Sequence, residues 1–365
     1  MYIDRIPSNM KLIFAGNTPI SKAYRGNKRI YPNAIGSFLS TANKMDASVD
    51  THLLQSGYEG LQAYVKNNAS VILVPGLSKQ GYVYGMDNNT GMPLAFAFAR
   101  ASEATYFDAK LDMVLSEVHV PRLDYANYTT DAKLLIERES TNIIRDSGFE
   151  LHLNDQKGVG SGYDNIDLDW LDFFRKGGQI NKTTTSNYYY KQVSTQDNLA
   201  STFSIFGKTL NSHVPIISSS NNAHGVIVGA NEPKKVTLSQ PLKNGLYRLS
   251  TQLNTIASNI RYGIAKYSNQ LEESWLATGY QLEYGDTATS YIPTTTSATT
   301  RSADQLSYTL DTPCSVYLKT TKQNVVIDKL AGVWNIADDL HNEGILALAI
   351  FDRVLTANEK QFVNP

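Results

Sequence analysis

The sequence is poor in cysteine and in charge. Cys314 is the one cysteine among 365 residues, so no disulfide can form within the chain. We interpret Cys314 as a small core residue and expect stability to come from packing or oligomerisation. Charged residues make up 18% of the chain and the net charge is −1, which argues against a basic nucleic-acid-binding protein.

Long apolar runs are also missing. No stretch approaches the roughly 18 apolar residues that a membrane-spanning helix needs. Asp4 and Pro7 interrupt MYIDRIPSNM, where a signal peptide requires an apolar segment. We therefore expect a protein that does not insert into membranes and is made in the cytoplasm without a signal peptide.

The local motifs of common enzymes and metal sites are absent from the sequence. The six histidines are scattered, and no two of them have the spacing of metal ligands. Gly160-Ser161-Gly162 lacks the register of a nucleophile elbow, and neither a phosphate-binding loop nor a Rossmann glycine pattern occurs. We expect a binding protein rather than an enzyme, with no required cofactor.

Hydroxyl and amide side chains supply the polar character instead. Tyrosine, with 22 residues, outnumbers phenylalanine (12) and tryptophan (3). Tyr and Thr fit half-buried pleated surfaces, so we predict a mainly β protein. From about residue 142 to 310, short β-like segments recur at even spacing with Gly and Asn turns, which predicts a jelly-roll-like β-sandwich. The clearest segments are STFSIFGKTL (201–210), HGVIVGA (224–230), KVTLSQPL (235–242), GLYRLSTQL (245–253) and NIRYGIAKY (259–267).

The first 33 residues form a small separate segment with a ten-residue repeat. Ile13-Phe14-Ala15-Gly16-Asn17 is echoed by Ala23-Tyr24-Arg25-Gly26-Asn27. A Gly-Asn pair between short apolar runs is typical of a β-hairpin. Because strands this short are not stable alone, we expect them to dock on a partner surface as an attachment segment.

The rest of the chain divides into a mixed α/β region and a C-terminal region. Residues 34–66 contain the most helix-like stretches, over 34–42 and 47–65, and SVILVPGL (70–77) is a strand ended by Pro-Gly. Near the C-terminus ILALAIF (345–351) is strand-like, and Thr356-Ala-Asn-Glu359 has the pattern of a capping box that opens a short helix. We therefore divide the chain into four regions, 1–33, 34–141, 142–310 and 311–365.

An acidic cluster lies in GSGYDNIDLDWLDFF (160–174), with aspartates at 164, 167, 169 and 172. Alternation places Asp167 and Asp169 on one face of a strand, with Ile166 and Leu168 on the other, as in an ordinary half-buried strand. Two alternatives stay open. Carboxylates at this density can ligate a structural calcium ion, with Asp164, Asp167 and Asp169 as candidates, and a pair of them could act in glycoside hydrolysis.

Aromatic side chains cluster in two further places, at Tyr188-Tyr189-Tyr190 and around Trp170. Flat aromatic faces stack on sugar rings and Tyr carries a polar group, which fits a carbohydrate-binding surface. The candidate glycan-binding residues are Trp170, Tyr188, Tyr189, Tyr190 and Trp275. Packing within the fold or between subunits is the alternative interpretation for each of them.

Residues 281–308, QLEYGDTATSYIPTTTSATTRSADQLSY, resemble a segment that is common in tailed-bacteriophage virion proteins. The shared elements are Gln281-Leu282-Glu283, Gly285, Ser290-Tyr291-Ile292-Pro293-Thr294 and Thr300-Arg301-Ser302-Ala303-Asp304. In that family the segment closes a carbohydrate-binding-module-like β-sandwich, and its hydroxyl-rich part leaves along the surface in extended form. The resemblance implies the same course here.

Other stretches resemble the same family. The matching elements are Arg100-Ala101-Ser102-x-Ala104-Thr105-Tyr106, Pro121-Arg122-Leu123-Asp124-Tyr125, Leu134-Leu135-Ile136-Glu137, Thr141-Asn142 and Gly245-Leu246-Tyr247-Arg248. YRGNKRIYP (24–32) is similar to segments at the virion-proximal ends of phage fibres. IFDRVLTANEK (350–360) is similar to the last strand and helix of laminin-G-type repeats.

The resemblance implies a structural protein of a tailed-phage virion, a fibre or fibre-base component that presents a glycan-binding-like sandwich for host adhesion. Attachment to other virion proteins, such as capsid, portal or tail subunits, would use Tyr24, Arg25, Gly26, Lys28, Arg29 and Tyr31. By analogy with fibre proteins we expect a homo-oligomer, with a trimer favoured. Two alternatives stay open, a non-adhesive adaptor or capsid-decoration protein and a polysaccharide depolymerase.

Overall fold

The structure, a computed structural model, describes most of the chain between residues 61 and 363 and four short pieces before it. The described residues are 14–15, 18–19, 24–25, 28–29, 61–75, 83–88, 92–126, 132–151, 158–159, 163–168, 173–180, 187–193, 199–209, 224–228, 233–234, 238–253, 260–266, 274–340 and 342–363. In this part of the chain no helix is long and apolar enough to cross a membrane.

The described residues are mainly in strands, as the composition predicts. The first group is β1 Phe14–Ala15, β2 Thr18–Pro19, β3 Tyr24–Arg25, β4 Lys28–Arg29, β5 Val71–Leu73, β6 Tyr84–Asp87, β7 Met92–Ala95, β8 Ala97–Ala99, β9 Ala104–Phe107, β10 Met113–Ser116, β11 Leu123–Asp124, β12 Lys133–Ile136 and β13 Ser140–Asn142. The second is β14 Gly158–Val159, β15 Tyr163–Asp167, β16 Lys176–Ile180, β17 Asn187–Val193, β18 Ser201–Thr209, β19 His224–Val228, β20 Pro233–Lys234, β21 Leu238–Pro241, β22 Tyr247–Leu253, β23 Ile260–Lys266 and β24 Trp275–Tyr284. The third is β25 Thr299–Arg301, β26 Gln305–Leu310, β27 Cys314–Thr320, β28 Asn324–Lys329, β29 Gly332–Asn335 and β30 Glu343–Ile350. Two short α-helices, α1 Ala63–Asn68 and α2 Ala357–Val363, and two 3-10 helices, Lys243–Gly245 and Ile336–Asp339, complete the set among the described residues.

Strands β14 to β24 form a β-sandwich, called here the central sandwich. Its six-stranded sheet has the order β15-β16-β24-β18-β22-β21, and its five-stranded sheet has the order β14-β17-β23-β19-β20. The two sheets pack face to face, since the rings of Phe203 in β18 and Tyr262 in β23 lie 5.3 Å apart. The prediction of a sandwich is confirmed, and the five segments named in the sequence coincide with β18, β19, β21, β22 and β23.

Strand β24 runs through the middle of the central sandwich and does not alternate in burial. All its residues except the last are buried, because apolar side chains cover its sheet on both faces. Gly279 adopts a φ of +59°, and the register with β18 shifts beside it. This bulge keeps Trp275 and Tyr280 in the same core despite their odd spacing.

A second unit, called here the outer unit, forms around β30 and consists of β5 to β8, β11, β12 and β26 to β30. Its eight-stranded sheet places β30 between β27 on one edge and β5 and β12 on the other. A three-stranded sheet, β29-β26-β8, covers one face, where Leu306 and Trp334 share a core with Leu348. Helices α1 and α2 cover the other face, where Val65 and Val363 pack in one cluster with the strands.

The outer unit joins two parts of the chain that the sequence analysis divides. Leu134 pairs with Ile345 and Leu73 pairs with Leu348, so regions 34–141 and 311–365 share one sheet. The central sandwich thus lies in the chain between the two segments that form this sheet, and the boundaries of the four regions stay a prediction. Pairing between strands more than 200 residues apart leaves no local pattern in the sequence.

The ends of the chain follow their local signals. β1 pairs with β2 across Gly16-Asn17, and β3 pairs with β4 across Gly26-Asn27, which confirms the two predicted hairpins. At the C-terminus, the Thr356 amide donates to Glu359 Oε2 at 2.8 Å and the Glu359 amide donates to Thr356 Oγ1 at 3.4 Å, which confirms the capping box. Of the predicted helices, 34–42 lies outside the described residues, and α1 contains only the end of 47–65.

Candidate functional site

Five charged side chains are buried together where the central sandwich meets the outer unit. We call Arg100, Arg122, Glu137, Arg301 and Asp304 the ion cluster; each is less than 9% exposed. Three guanidinium groups and two carboxylates give the cluster a formal charge of +1. Burial of so many charges requires close pairing, because each unpaired ion would lose its hydration without compensation.

Each member of the ion cluster lies at or next to the end of a short strand. Arg100 follows β8, Arg122 precedes β11, Glu137 follows β12, Arg301 ends β25 and Asp304 precedes β26. Strand ends are places where the chain can turn polar side chains inward without interrupting a sheet. The cluster therefore ties together elements that are remote in sequence.

The two carboxylates of the ion cluster form ion pairs with its three arginines. Asp304 accepts from Arg100 Nη1 at 3.1 Å and from Arg122 Nη2 at 2.6 Å. Arg122 Nη2 also lies 2.8 Å from Glu137, and Arg301 lies 3.6 Å from the same carboxylate. The Glu137 amide donates to Asp304 Oδ2 at 2.9 Å, so the backbone joins the same network.

The environment of Glu137 keeps its carboxylate ionised. Burial alone would raise the pKa of Glu137, but the charges of Arg301 and Arg122 and the hydrogen bonds from Ser290 outweigh that effect and hold the pKa well below its ordinary value. A general acid of a glycosidase needs a raised pKa. Glu137 therefore has the electrostatics of a structural ion-pair partner and not of a proton donor.

The hydroxyl-rich run enters the ion cluster at Ser290. The Ser290 amide donates to Glu137 Oε1 at 2.6 Å, and Ser290 Oγ donates to Glu137 Oε2 at 2.7 Å. Arg122 Nη1 donates to Ser290 Oγ at 2.6 Å. Next in the chain, the Tyr291 carbonyl oxygen accepts from Thr105 Oγ1 at 2.6 Å.

Amide and carboxylate side chains of the neighbouring strands bind the backbone of the same run. Glu283 Oε2 accepts from the Thr289 amide at 3.0 Å, and Gln281 Oε1 accepts from the Ile292 amide at 2.6 Å. Asn142 Nδ2 donates to the Ile292 carbonyl oxygen at 2.9 Å. These side chains take the place that a paired strand would have, so the run can be buried without belonging to a sheet.

The course of the run along the surface is corrected in part. Residues 289–292 and 294 are buried at the seam between the two units, whereas residues 295–300 are exposed as expected. The physical reason is the hydrogen bonding described above, which satisfies the backbone of the first half. Thr, Ser and Tyr are abundant here because their small polar groups can bond while buried.

A cleft opens beside the ion cluster, and we call it the seam cleft. Its volume is about 270 Å³, and residues of both units line it. The outer unit contributes Asp124, Lys133 and Glu343, among others, and the central sandwich contributes Gln240 and Arg248.

The carboxylates that line the seam cleft have partners of their own. Asp124 Oδ1 accepts from the Phe107 amide at 2.8 Å, and Asp124 Oδ2 lies 3.1 Å from Lys133 Nζ. Glu343 accepts from Thr320 Oγ1 and from Gln323 Nε2. Together with the bonds of Glu137, these contacts suit fixed scaffolding better than acid–base catalysis.

Trp275 is the candidate aromatic residue whose side chain the structure describes, and it does not line the seam cleft. Trp275 is fully buried in the core of the central sandwich, so its assignment as a glycan-binding residue is corrected: its ring has no open face for a sugar. Tyr188, Tyr189 and Tyr190 lie in β17, which pairs with β14 and β23, and their side chains lie outside what the structure describes. Trp170 also lies outside the described residues.

The candidate calcium ligands are only partly described. Asp164 and Asp167 lie in β15, and Asp167 forms an exposed ion pair with Lys176. Asp167 is exposed and Leu168 is buried, as strand alternation predicts, while Asp169 lies outside the described residues. Among the residues that the structure describes, no group of three or more His, Cys, Asp or Glu side chains could hold a metal ion.

The candidate attachment residues fall on the second N-terminal hairpin. Tyr24 and Arg25 form β3, and Lys28 and Arg29 form β4. Gly26 and Tyr31 lie outside the described residues. Their role in attachment stays a prediction.

Sequence reasoning misses the ion cluster and Arg248 as site residues. In the sequence analysis these residues occur only within the stretches that resemble phage virion proteins, for example Glu137 in LLIE and Arg122 in PRLDY. A usable signal is the position of single charges directly beside apolar strand segments, where a solvated position is unexpected.

No family model matches the chain, and no curated protein is similar to it.

Proposed function

We propose that the chain is a structural protein of a tailed-phage virion, a fibre or fibre-base component that docks through its N-terminal hairpins. In this proposal the central sandwich is presented for adhesion to a host-surface glycan. The role is binding and assembly, and the partners are other virion proteins and further copies of the chain.

One observation carries the proposal. The elements through which the sequence resembles phage virion proteins come from segments up to 204 residues apart, yet Arg100, Arg122, Glu137, Ser290 and Asp304 meet in one buried network. Side chains that cooperate in this way form a physical unit. This supports the interpretation of the resemblance as a shared structural device rather than as scattered similarity.

The N-terminal hairpins support the docking part of the proposal. Each consists of two paired strands of two residues, which is too little structure to be stable without a partner. Addition of such strands to the edge of a partner sheet is a common mode of protein assembly. Tyr24, Arg25, Lys28 and Arg29 would contact the partner.

A non-adhesive adaptor or capsid-decoration protein is the second candidate function. The burial of Trp275 favours it, because one of the aromatic residues assigned to glycan binding serves packing instead. The depolymerase alternative receives no support from the seam cleft, where the pKa of Glu137 is lowered rather than raised.

Immunogold electron microscopy of intact virions, with an antibody against residues 150–300, tests the proposal. The control is the same antibody blocked with the purified chain. Label at the tail tip is the expected result and supports a fibre that contacts the host. Label around the head would replace adhesion by the head-fibre or decoration role, and virions without label would contradict the proposal.

A further inference from the structure

Arg248 is a buried cation whose hydrogen-bonding capacity is only partly used. It lies in β22, lines the seam cleft and is 9% exposed. Its Nη2 donates to the Thr289 carbonyl oxygen and to Ser204 Oγ, whereas its Nε has no hydrogen-bond partner. The guanidinium also lies over the ring of Phe206, with Cζ 5.5 Å from the ring centroid, and this contact orients the group.

The carboxylates near Arg248 are bonded to other groups. Glu283, Glu137 and Asp124 are the acids whose charges favour the charged form of Arg248, against the burial that lowers its pKa. Glu283 accepts from Ser140 Oγ at 2.7 Å and from the Thr289 amide at 3.0 Å. Glu137 binds Arg122, and Asp124 binds Lys133. Arg248 thus forms no direct ion pair among the described residues.

The dimensions and lining of the seam cleft limit which ligand could bind beside Arg248. At about 270 Å³ the cleft is close to the lower end of the roughly 300–1,000 Å³ range of small-molecule sites, so it suits one small ring and not a long polymer. Gln240, Thr321, Lys322 and Asn342 also line it and offer groups for hydroxyl recognition. A lining that combines apolar surface with several hydrogen-bond donors and acceptors is suited to a sugar ring, which has both apolar faces and hydroxyl groups.

The charges that line the seam cleft favour some kinds of anion over others as a ligand of Arg248. Guanidinium groups bind both carboxylate and phosphate through paired hydrogen bonds. Asp124, Glu137 and Glu343 line the cleft together with Lys133 and Lys322, so three acids balance three cations when Arg248 is included, and the wall has no surplus positive charge for a dianion. A single carboxylate is therefore the better partner for Arg248.

We propose that the seam cleft binds a carboxylate-bearing sugar residue, a uronic acid, whose carboxylate pairs with Arg248. The inference deepens the proposed adhesive function and rests on it for the choice of a sugar over other small carboxylic acids. The site lies at the seam between the central sandwich and the outer unit.

Isothermal titration of the full chain with D-glucuronate, D-glucose and inorganic phosphate tests the inference. We expect saturable binding of glucuronate, and binding of glucose that is weaker by about tenfold or more, because glucose cannot use the charge of Arg248. We expect phosphate to bind more weakly than glucuronate. Equal binding of glucose and glucuronate, phosphate binding as tight as glucuronate, or no glucuronate binding would overturn the inference.

A pair of charge variants locates the site. Gln240→Glu adds a negative charge to the wall of the seam cleft and should weaken glucuronate binding by about tenfold. Val333→Glu adds the same charge on a side chain that is 77% exposed and does not line the cleft, and should leave binding unchanged. Equal effects of the two variants would contradict a site at the cleft.

The titration and the virion labelling test separate proposals, so a negative result in one does not decide the other. A chain that is present on virions but does not bind glucuronate would refute this inference alone. A chain that binds glucuronate but is absent from virions would refute the proposed function and leave the site.

Discussion

The central sandwich and the outer unit are both β structures, but they are assembled and joined in different ways. The central sandwich forms from one continuous part of the chain, and its two sheets meet in an apolar core around Phe203, Tyr262 and Trp275. The outer unit forms from two remote segments that flank the sandwich. The seam between the two units contains the ion cluster and a hydrogen-bonded run of hydroxyl residues.

The two units and the seam between them show that apolar packing and directed polar contacts stabilise a structure in different ways. Apolar cores stabilise through buried area and tolerate small shifts, because the hydrophobic effect is not directional. Paired charges and short hydrogen bonds require particular directions and distances. Since burial of ions costs much of what their attraction gains, we infer that the ion cluster serves to define how the units join more than to add net stability.

The largest expected effect comes from removal of a carboxylate at the seam. Asp304→Ala leaves Arg100 and Arg122 buried without their partner, and should lower the free energy of unfolding by about 3–5 kcal/mol. Urea denaturation followed by circular dichroism measures the change. Asp338→Ala, which removes an exposed aspartate of the outer unit, should change stability by less than about 1 kcal/mol. Similar losses for both variants would contradict a special role of the seam.

A substitution inside the central sandwich should lower the free energy of unfolding by somewhat less than Asp304→Ala does. Gly279→Ala places a Cβ 2.6 Å from Phe206 at a φ of +59°, and should cost about 2–3 kcal/mol through overpacking and backbone strain. Gly332→Ala is the matched control in the outer unit, where φ is +125° but no atom lies within 4 Å of the new Cβ. Thermal unfolding should show the larger loss for Gly279→Ala. The reverse order would be inconsistent with the packing at the bulge.

The pH dependence of stability should report on the seam. The pKa of Glu137 is lower in the folded chain than its ordinary value of 4.5, so its stabilisation is complete above that value and is lost as the pH falls toward the folded pKa. Urea midpoints between pH 7 and pH 3 should therefore decrease toward acid. Glu137→Gln should be less stable at pH 7 and should show a shallower decrease. An unchanged slope would show that Glu137 is not ionised in the folded state.

The smallest effect is expected at the edge of the outer unit. Thr356→Ala removes the capping box of α2 and should cost about 1 kcal/mol. Differential scanning calorimetry measures the shift in Tm. Thr356→Ser, which keeps the hydroxyl, should restore most of the stability, and a failure of that rescue would argue against the capping role.

The sequence predicts those parts of the fold whose signals are local. Short β-like segments at even spacing with Gly and Asn turns identify β18, β22 and β23, Gly-Asn pairs identify the hairpins, and Thr356 with Glu359 identifies the start of α2. It does not predict that β30 pairs with β5 and β12, because their partners are remote. Nor does it predict the burial of Trp275, since β24 is covered on both faces and its residue types alone do not reveal that.

The candidate site is less predictable than the fold. Arg100, Arg122 and Arg301 each resemble ordinary surface arginines when they are considered one at a time, and only the folded chain brings them to Glu137 and Asp304. Arg248 is distinguished from the arginines of the ion cluster because it lines the seam cleft and forms no direct ion pair among the described residues, which is a property of three-dimensional geometry. The sequence stretches that resemble the phage family include these residues, but they do not indicate which groups each residue contacts.

Hydrogen exchange measured by mass spectrometry on the wild-type chain and on Asp304→Asn tests most directly whether the ion cluster joins the two units. We predict that the variant loses protection at β12, at β13 and across residues 289–301, on both sides of the seam, while β19 and β23 of the central sandwich keep theirs. Protection that is unchanged at the seam, or lost only within the outer unit, would contradict the role of the ion cluster as the link between them.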